Sequence, residues 1–222
     1  LRAEGYRAMF LGIGAQECKI LGLEGEDLQG VYPGVDFLRD VNLGKRPALG
    51  DRIAVIGGGN TAIDVARSLV RLGAAATLIY RRRKQDMPAF KAEVEMAVKE
   101  GVKIKELFSP IRIKEDTGEY VLSLQLMKTS DMKTDGGRAR VVPDGKAIRH
   151  LRVQKIFTAI GAEPSGSWQF PPGENTGTLH LSHCTLTGNN PPFLYGGDLT
   201  NPIKSVTDAI ASGKQAAMIL DI

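Results

Sequence analysis

The stretch from Asp51 to Arg83 constrains the fold most, because a strand pattern, a triple glycine, a helix pattern and a second strand pattern follow one another within it. Ile53, Ala54, Val55 and Ile56 form the unbroken apolar run required of a strand covered on both faces. Ala62, Ile63, Ala66, Leu69 and Val70 then recur at helical spacing over 60–72, and Gly73 supplies a stop. AATLIY at 75–80 gives the second buried strand. Strand, tight turn, helix and strand make a βαβ unit, which places the two strands parallel in one sheet. The fold class is therefore α/β, a Rossmann-like three-layer arrangement.

The flanking segments read less sharply. Residues 6–13 (YRAMFLGI) predict a short buried strand ending at Gly12 and Gly14, and 14–35 is rich in glycine and turn residues, which predicts a connecting loop. One or two helical turns are expected over 35–41. After the βαβ unit, Met87-Pro88 predicts the start of a second helix, with Phe90, Val94 and Val98 on one face and Gly101 at its end. A strand is expected over 102–107. From 111 to 158 the pattern changes to alternation (IRIKED, YVLSLQLMK, HLRVQKIF) with turn clusters at Thr117-Gly118 and Asp135-Gly137, which predicts an antiparallel β-meander. A strand over 151–160 then runs into Gly161. Beyond 164 a loop containing Trp168 precedes Phe193-Leu194-Tyr195, the turn Gly196-Gly197-Asp198, and a last helix over 203–220. That helix is expected to start near Asn201-Pro202 and to turn Val206, Ala209, Ile210, Gly213, Ala217 and Leu220 inward.

Composition removes several classes of function. A net charge of +4 on 222 residues, with acids and bases interleaved, does not make a nucleic-acid surface. The run Arg81-Arg82-Arg83-Lys84 is the one strong local concentration of charge. Cys18 and Cys184 stand far apart in no CxxC pair, so neither a disulfide framework nor a dithiol redox centre is expected, and a reducing, cytoplasmic setting fits. No apolar run reaches the roughly 20 residues that span a bilayer. The first residue is Leu1 and the first segment has no signal-peptide features, so the sequence reads as a piece of a longer chain.

Chemistry concentrates in two places. Gly57-Gly58-Gly59-Asn60-Thr61-Ala62 fits GxGxxA between a predicted strand and a predicted helix. In that context Gly57 permits the tight turn, Gly59 lets the backbone approach a pyrophosphate, and Ala62 keeps helix and sheet close. Free amides and the helix dipole favour the anion. Nucleotide sites that prefer NAD place an acid at the end of the second strand, about 20 residues after the glycines. Here that place holds Tyr80-Arg81-Arg82-Arg83, whose guanidinium forks suit a 2′-phosphate. The alternative is a solvated basic turn. At Gly196-Gly197-Asp198, an acid at a turn before a helix suits the ribityl hydroxyls of a flavin, and a simple surface turn is the alternative.

Taken together, FLGIGA (10–15), LEGEDLQGV (23–31), FLRDVN (37–42), VIGGGNTAIDVARSLVRLGA (55–74), YRRR with DMPAF (80–90), TAIGAEPS (158–165) and YGGDL with an Ala-rich last helix (195–220) resemble the small subunit of glutamate synthase. They equally resemble the wider NADPH-dependent, FAD-containing oxidoreductases, including domains of dihydropyrimidine dehydrogenase. The resemblance implies a Rossmann-like NAD(P)-binding domain at 46–163, an FAD-domain remnant and linker at 1–45, and a C-terminal FAD-domain segment at 164–222. It implies that NADPH reduces FAD and that electrons pass through iron–sulfur centres to a partner subunit. Gly57, Gly58, Gly59, Asn60 and Thr61 would contact the pyrophosphate, Arg81 and Arg82 the 2′-phosphate, Ala159, Ile160 and Gly161 the junction, and Gly197, Asp198 and Thr207 the flavin. Hydride passes between cofactors, so no catalytic side chain is expected.

The family carries an N-terminal Gly-rich FAD fingerprint and a Cys-rich iron–sulfur segment that these 222 residues lack. The expectation is an intact NADP(H) domain between two parts of an FAD domain, with FAD belonging to the full-length parent and the fragment itself inactive. A non-catalytic NADP(H)-binding module and another flavoprotein reductase of the superfamily stay open as alternatives. His180, His183 and Cys184 offer only three potential ligands on one segment, so no metal site is expected. His150 is read as a surface residue. Glu93 is placed to orient a side chain of the arginine turn.

Overall fold

The computed structural model describes residues 4–133, 139–164, 178–180, 184–187, 193–200 and 205–221. In chain order its strands are β1 (Met9–Leu11), β2 (Glu17–Cys18), β3 (Val31–Pro33), β4 (Arg52–Gly57), β5 (Ala75–Tyr80), β6 (Lys103–Glu106), β7 (Phe108–Asp116), β8 (Glu119–Lys133), β9 (Ala139–Val153), β10 (Lys155–Ala159), β11 (Ala162–Glu163), β12 (Thr178–His180), β13 (Cys184–Thr187) and β14 (Phe193–Gly196). The helices are α1 (Gly34–Asn42), α2 (Asn60–Arg71), α3 (Lys91–Lys99) and α4 (Val206–Leu220). Two compact units divide the chain: Cys18–Gly161, and Leu1–Glu17 with Ala162–Ile222.

The larger unit is built on a five-stranded parallel sheet of order β3-β10-β4-β5-β6. Ile53, Val55, Leu78 and Phe157 pack with α1, α2 and α3 in one apolar cluster on one face. Ala54, Ile56, Ile79 and Ile156 point to the other face, where Ile113, Leu122, Leu124 and Val153 cover them. Those covering residues come from the antiparallel sheet β7-β8-β9, the expected meander. Three layers result, as expected, with helices on one side and the meander on the other. Burial on both faces explains why β4 reads as a continuous apolar run.

Helix α2 buries Ala62, Ile63, Val65, Ala66 and Leu69, so Val65 joins the stripe read from spacing and Val70 is only partly buried. It is clamped to α3 by Arg67, whose guanidinium is mostly buried and binds Glu100 at 2.8 and 2.9 Å and also Glu93. Arg71 reaches Glu100 at 2.7 Å. These guanidinium hydrogen bonds hold the Glu100 carboxyl down at about 2. Glu93 therefore serves the helix pair, and its expected role at the arginine turn is corrected.

Four boundaries differ from the sequence expectation. The predicted loop at 14–35 contains β3, which pairs in parallel with β10 at the sheet edge (Tyr32 opposite Phe157). Three residues are too few to show a period, and Pro33 is tolerated because the strand is an edge. Residues 18–45 consequently belong to the larger unit. The strand expected over 151–160 is two strands. Gln154 separates them, and its Oε1 accepts from the amides of Asp51 and Arg52 at 2.7 and 2.8 Å. Only β1 forms within 6–13, and it is half-exposed. The helix expected from Met87-Pro88 begins at Lys91, because the amides of Ala89 and Phe90 bond to Gly58 and Asn60 and hold the segment extended. Phe90 is 64% exposed, and Val94 with Ala97 forms the inward face.

In the smaller unit β1 pairs in parallel with β14, and β13 and β12 continue the sheet antiparallel. Helix α4 lies on this sheet but faces it differently from the expectation. Ser212 and Ala216 are its buried positions, with Ile219 packed on Leu194 and Ala216, whereas Val206 is 78% and Ile210 55% exposed. Its start is Ser205, whose hydroxyl accepts from the Asp208 amide; Asn201 and Pro202 lie outside the described residues. Also outside them are Trp168, His183 and the turn at Asp135-Gly137, and the side chains of His180 and Cys184 are not described. Among the described residues, no helix is long and apolar enough to cross a membrane.

Candidate functional site

The register of the parallel sheet gathers the strand ends at one edge. Gly57 stands opposite Ala159, Ile56 opposite Ile79, and Tyr80 opposite Glu106. The residues that follow, Gly58, Arg81, Leu107 and Ile160, therefore emerge together. β5 and β10 flank β4 on opposite sides, so the glycine turn sits where the chain winds away in both directions. Parallel α/β sheets bind ligands at such a switch point.

The three glycines have three different physical reasons. Gly57 has φ +150, and a Cβ there would lie 2.3 Å from the Ala159 carbonyl oxygen, so the turn and the neighbouring strand both demand glycine. A Cβ on Gly58 would lie 2.4 Å from the Tyr80 ring. Gly59 is different: its φ of −86 suits any residue, and a Cβ would meet no atom within 4 Å. Among the described residues nothing requires glycine at 59, and the space over it is a cradle that a side chain would fill. Gly59 is the N-cap of α2, no side chain caps that terminus, and its first turn holds no acid. Uncapped amides at a helix start bind anions.

Gly57, Gly58, Gly59, Thr61, Arg81, Arg82, Ile160 and Gly161 line one cavity of about 590 Å³. Of the site residues expected in this unit, only Asn60 stands apart. Its Oδ1 accepts from the Phe90 amide at 2.9 Å and so fastens the segment before α3 onto the glycine turn. Arg81 is exposed, without an ion-pair partner among the described residues, while Arg83 pairs with Asp86 at 3.0 Å. The arginine run therefore divides into two residues on the cavity and one held in its own turn.

The opposite walls had no local sequence signal. Ile20, Leu21 and Leu23 line the cavity from the segment before β3, and Phe108, Ser109 and Pro110 line it from β7. The first segment is tied down by the Lys19 amide on the Gly161 carbonyl at 3.0 Å and by Glu26, whose carboxylate accepts from the Leu21 and Gly22 amides at 2.6 and 2.7 Å. Contacts over such sequence separations leave no periodic trace.

Gly197, Asp198 and Thr207 lie in the smaller unit. Gly197 has φ +65, and its amide donates to the buried Ser212 hydroxyl at 2.8 Å. Asp198 is half-buried in the short turn before α4, and Thr207 is exposed in the first turn of that helix. A Cβ on Gly196 would lie 1.9 Å from the Ser212 oxygen, so this turn is glycine-rich for packing against α4.

The pyridine nucleotide-disulphide oxidoreductase family matches residues 2–189. The chain is 36% identical to the beta subunit of the NADP(+)-dependent formate dehydrogenase of Moorella thermoacetica, over 97% of this chain and 31% of that protein. It is 31% identical to the glutamate synthase [NADPH] small chain of Escherichia coli (strain K12), over 96% of this chain and 49% of the relative. The chain thus spans half or less of the length of these relatives. Among solved structures, FprA of Mycobacterium tuberculosis in complex with NADPH superposes with a TM-score of 0.72 at 19% identity, over 99% of this chain and 64% of that one. This last likeness is one of fold.

Proposed function

The chain belongs to the pyridine nucleotide-disulphide oxidoreductase family, and from that premise we propose that it is the NADP(H)-binding part of a flavin-dependent oxidoreductase. In the parent protein, hydride passes from NADPH to FAD, and electrons go on to iron–sulfur centres or a partner subunit, as the resemblance to the glutamate synthase small subunit implies. One observation carries the proposal: the glycine turn and the pair Arg81 and Arg82 line the same cavity at the switch point of the sheet.

This chain's residues supply binding and orientation. The open space over Gly59 admits a pyrophosphate against the amides at the start of α2, where the helix dipole favours the charge. Thr61 stands beside it with a hydroxyl donor. Arg81 and Arg82 receive the 2′-phosphate through charge-assisted hydrogen bonds. The apolar walls at Ile20, Leu21, Phe108 and Ile160 take the rest of the nucleotide and exclude water. Gly197, Asp198 and Thr207 form this chain's contribution to the flavin side. FAD, when bound, supplies the hydride acceptor, so the protein needs no general base.

Gly59→Ala tests the pyrophosphate cradle. The variant is expected to cost at most about 1 kcal/mol of stability, the scale of an N-cap change. NADPH affinity, measured by fluorescence titration, is expected to fall at least about tenfold. Unchanged affinity in the folded variant would remove the pyrophosphate from this turn.

A further inference from the structure

Tyr80 ends β5 with its ring 6% exposed and packed under the glycine turn, where it blocks any Cβ on Gly58. Its hydroxyl donates to the Asp86 carbonyl at 2.9 Å. Asp86 in turn donates its amide to the Arg83 carbonyl at 2.9 Å and accepts from the Arg83 guanidinium at 3.0 Å. The same turn is held from β6 and beyond: the Lys84 amide donates to the Glu106 carboxylate at 2.6 Å, and the Leu107 amide donates to the Arg82 carbonyl at 3.0 Å. Leu107 accepts a left-handed backbone, φ +59, to make that contact, a conformation that a branched residue adopts only when its surroundings impose it.

Resting on the NADP(H) assignment, we propose that Tyr80 is the positioning residue for 2′-phosphate selectivity. Its ring supports the glycine turn and its hydroxyl anchors the 81–86 turn, so one side chain sets the spacing between the pyrophosphate cradle and the Arg81–Arg82 pair. Arg83 is a strut of this anchor. Among the described residues the hydroxyl's partner is the Asp86 carbonyl of the arginine turn, so removing it separates the two roles of the side chain.

Tyr80→Phe keeps the ring under Gly58 and deletes the bond to Asp86. Affinities for NADPH, NADH and 2′,5′-ADP are measured by titration on the whole chain, beside the double variant Arg81→Ala, Arg82→Ala. Loss of one anchoring hydrogen bond is expected to weaken NADPH and 2′,5′-ADP about fivefold. NADH, which lacks the 2′-phosphate, is expected to keep its affinity, so the NADPH to NADH preference falls. An equal weakening of all three nucleotides, or no weakening of any, would overturn the positioning role. If the double variant itself binds NADPH as tightly as the unmodified chain, the 2′-phosphate assignment fails as well. If only the double variant weakens NADPH, the assignment stands and Tyr80 is merely structural.

Discussion

Helices α2 and α4 invite comparison because each follows a strand and a glycine-rich turn, yet they answer to their sequences differently. In α2 the apolar residues at helical spacing are the buried ones, down to Leu69. In α4 the stripe of Val206, Ile210, Ala217 and Leu220 faces outward, and Ser212 and Ala216 face the sheet. Helix α2 carries Arg67, Arg71 and Asp64 around a single apolar stripe, so only one face can be buried. Helix α4 is rich in Ala and other apolar residues on every side, so spacing does not select a face. The Gly196-Gly197 turn selects it, because the turn has room for Ser212 and bonds to its hydroxyl. A polar contact decided what an apolar period left open.

Core deletions should break the symmetry most. Ile63→Ala, in a fully buried position, is expected to cost about 2–5 kcal/mol, read as a shift in the urea midpoint. Ile210→Ala, on the exposed stripe, is expected to change stability by no more than about 0.5 kcal/mol. Comparable losses would mean that α4 buries the face that its spacing suggests.

The clamp on α2 gives the next effect. The Arg67 and Arg71 guanidinium groups lower the Glu100 carboxyl to about 2 from its ordinary 4.5. A carboxylate whose folded value is lowered stabilises the fold above the unfolded value, and that contribution is lost as the pH falls from about 4.5 to about 2. Glu100→Gln should therefore be less stable than the unmodified chain at neutral pH, with the gap closing across that window. A gap independent of pH would deny the clamp its electrostatic origin. A small gain is expected in α4: Gly213→Ala, with no described atom within 4 Å of the new Cβ, should add about 0.5–1 kcal/mol. A loss of stability there would show that the position is crowded.

Legibility followed locality. The βαβ unit, the meander and α1 were readable because their periods or turn residues lie within a few residues of one another. β3 was not, since it owes its existence to β10, more than a hundred residues away. The change of sheet at Gln154 was hidden because alternation continues across it while the partner strand changes. In the site, the glycines and the two cavity-lining arginines were readable from residue type. Glu93 was assigned to the wrong partner, because it answers a buried arginine on α2, and the bond by which the Asn60 side chain fastens a segment thirty residues later left no trace in the spacing. The cavity walls at Ile20 and Phe108 depend wholly on tertiary placement.

Under the proposed assignment, Arg81 and Arg82 make this edge of the sheet a site for a 2′-phosphorylated nucleotide. The assignment is tested most directly by the ratio of NADH to NADPH dissociation constants in the unmodified chain and in the double variant Arg81→Ala, Arg82→Ala. The unmodified chain is expected to bind NADPH at least about tenfold more tightly, and charge-assisted bonds of about 2 kcal/mol in total would bring the ratio in the double variant close to one. A chain that binds NADH as tightly as NADPH, or a double variant that keeps the full preference, would contradict the assignment.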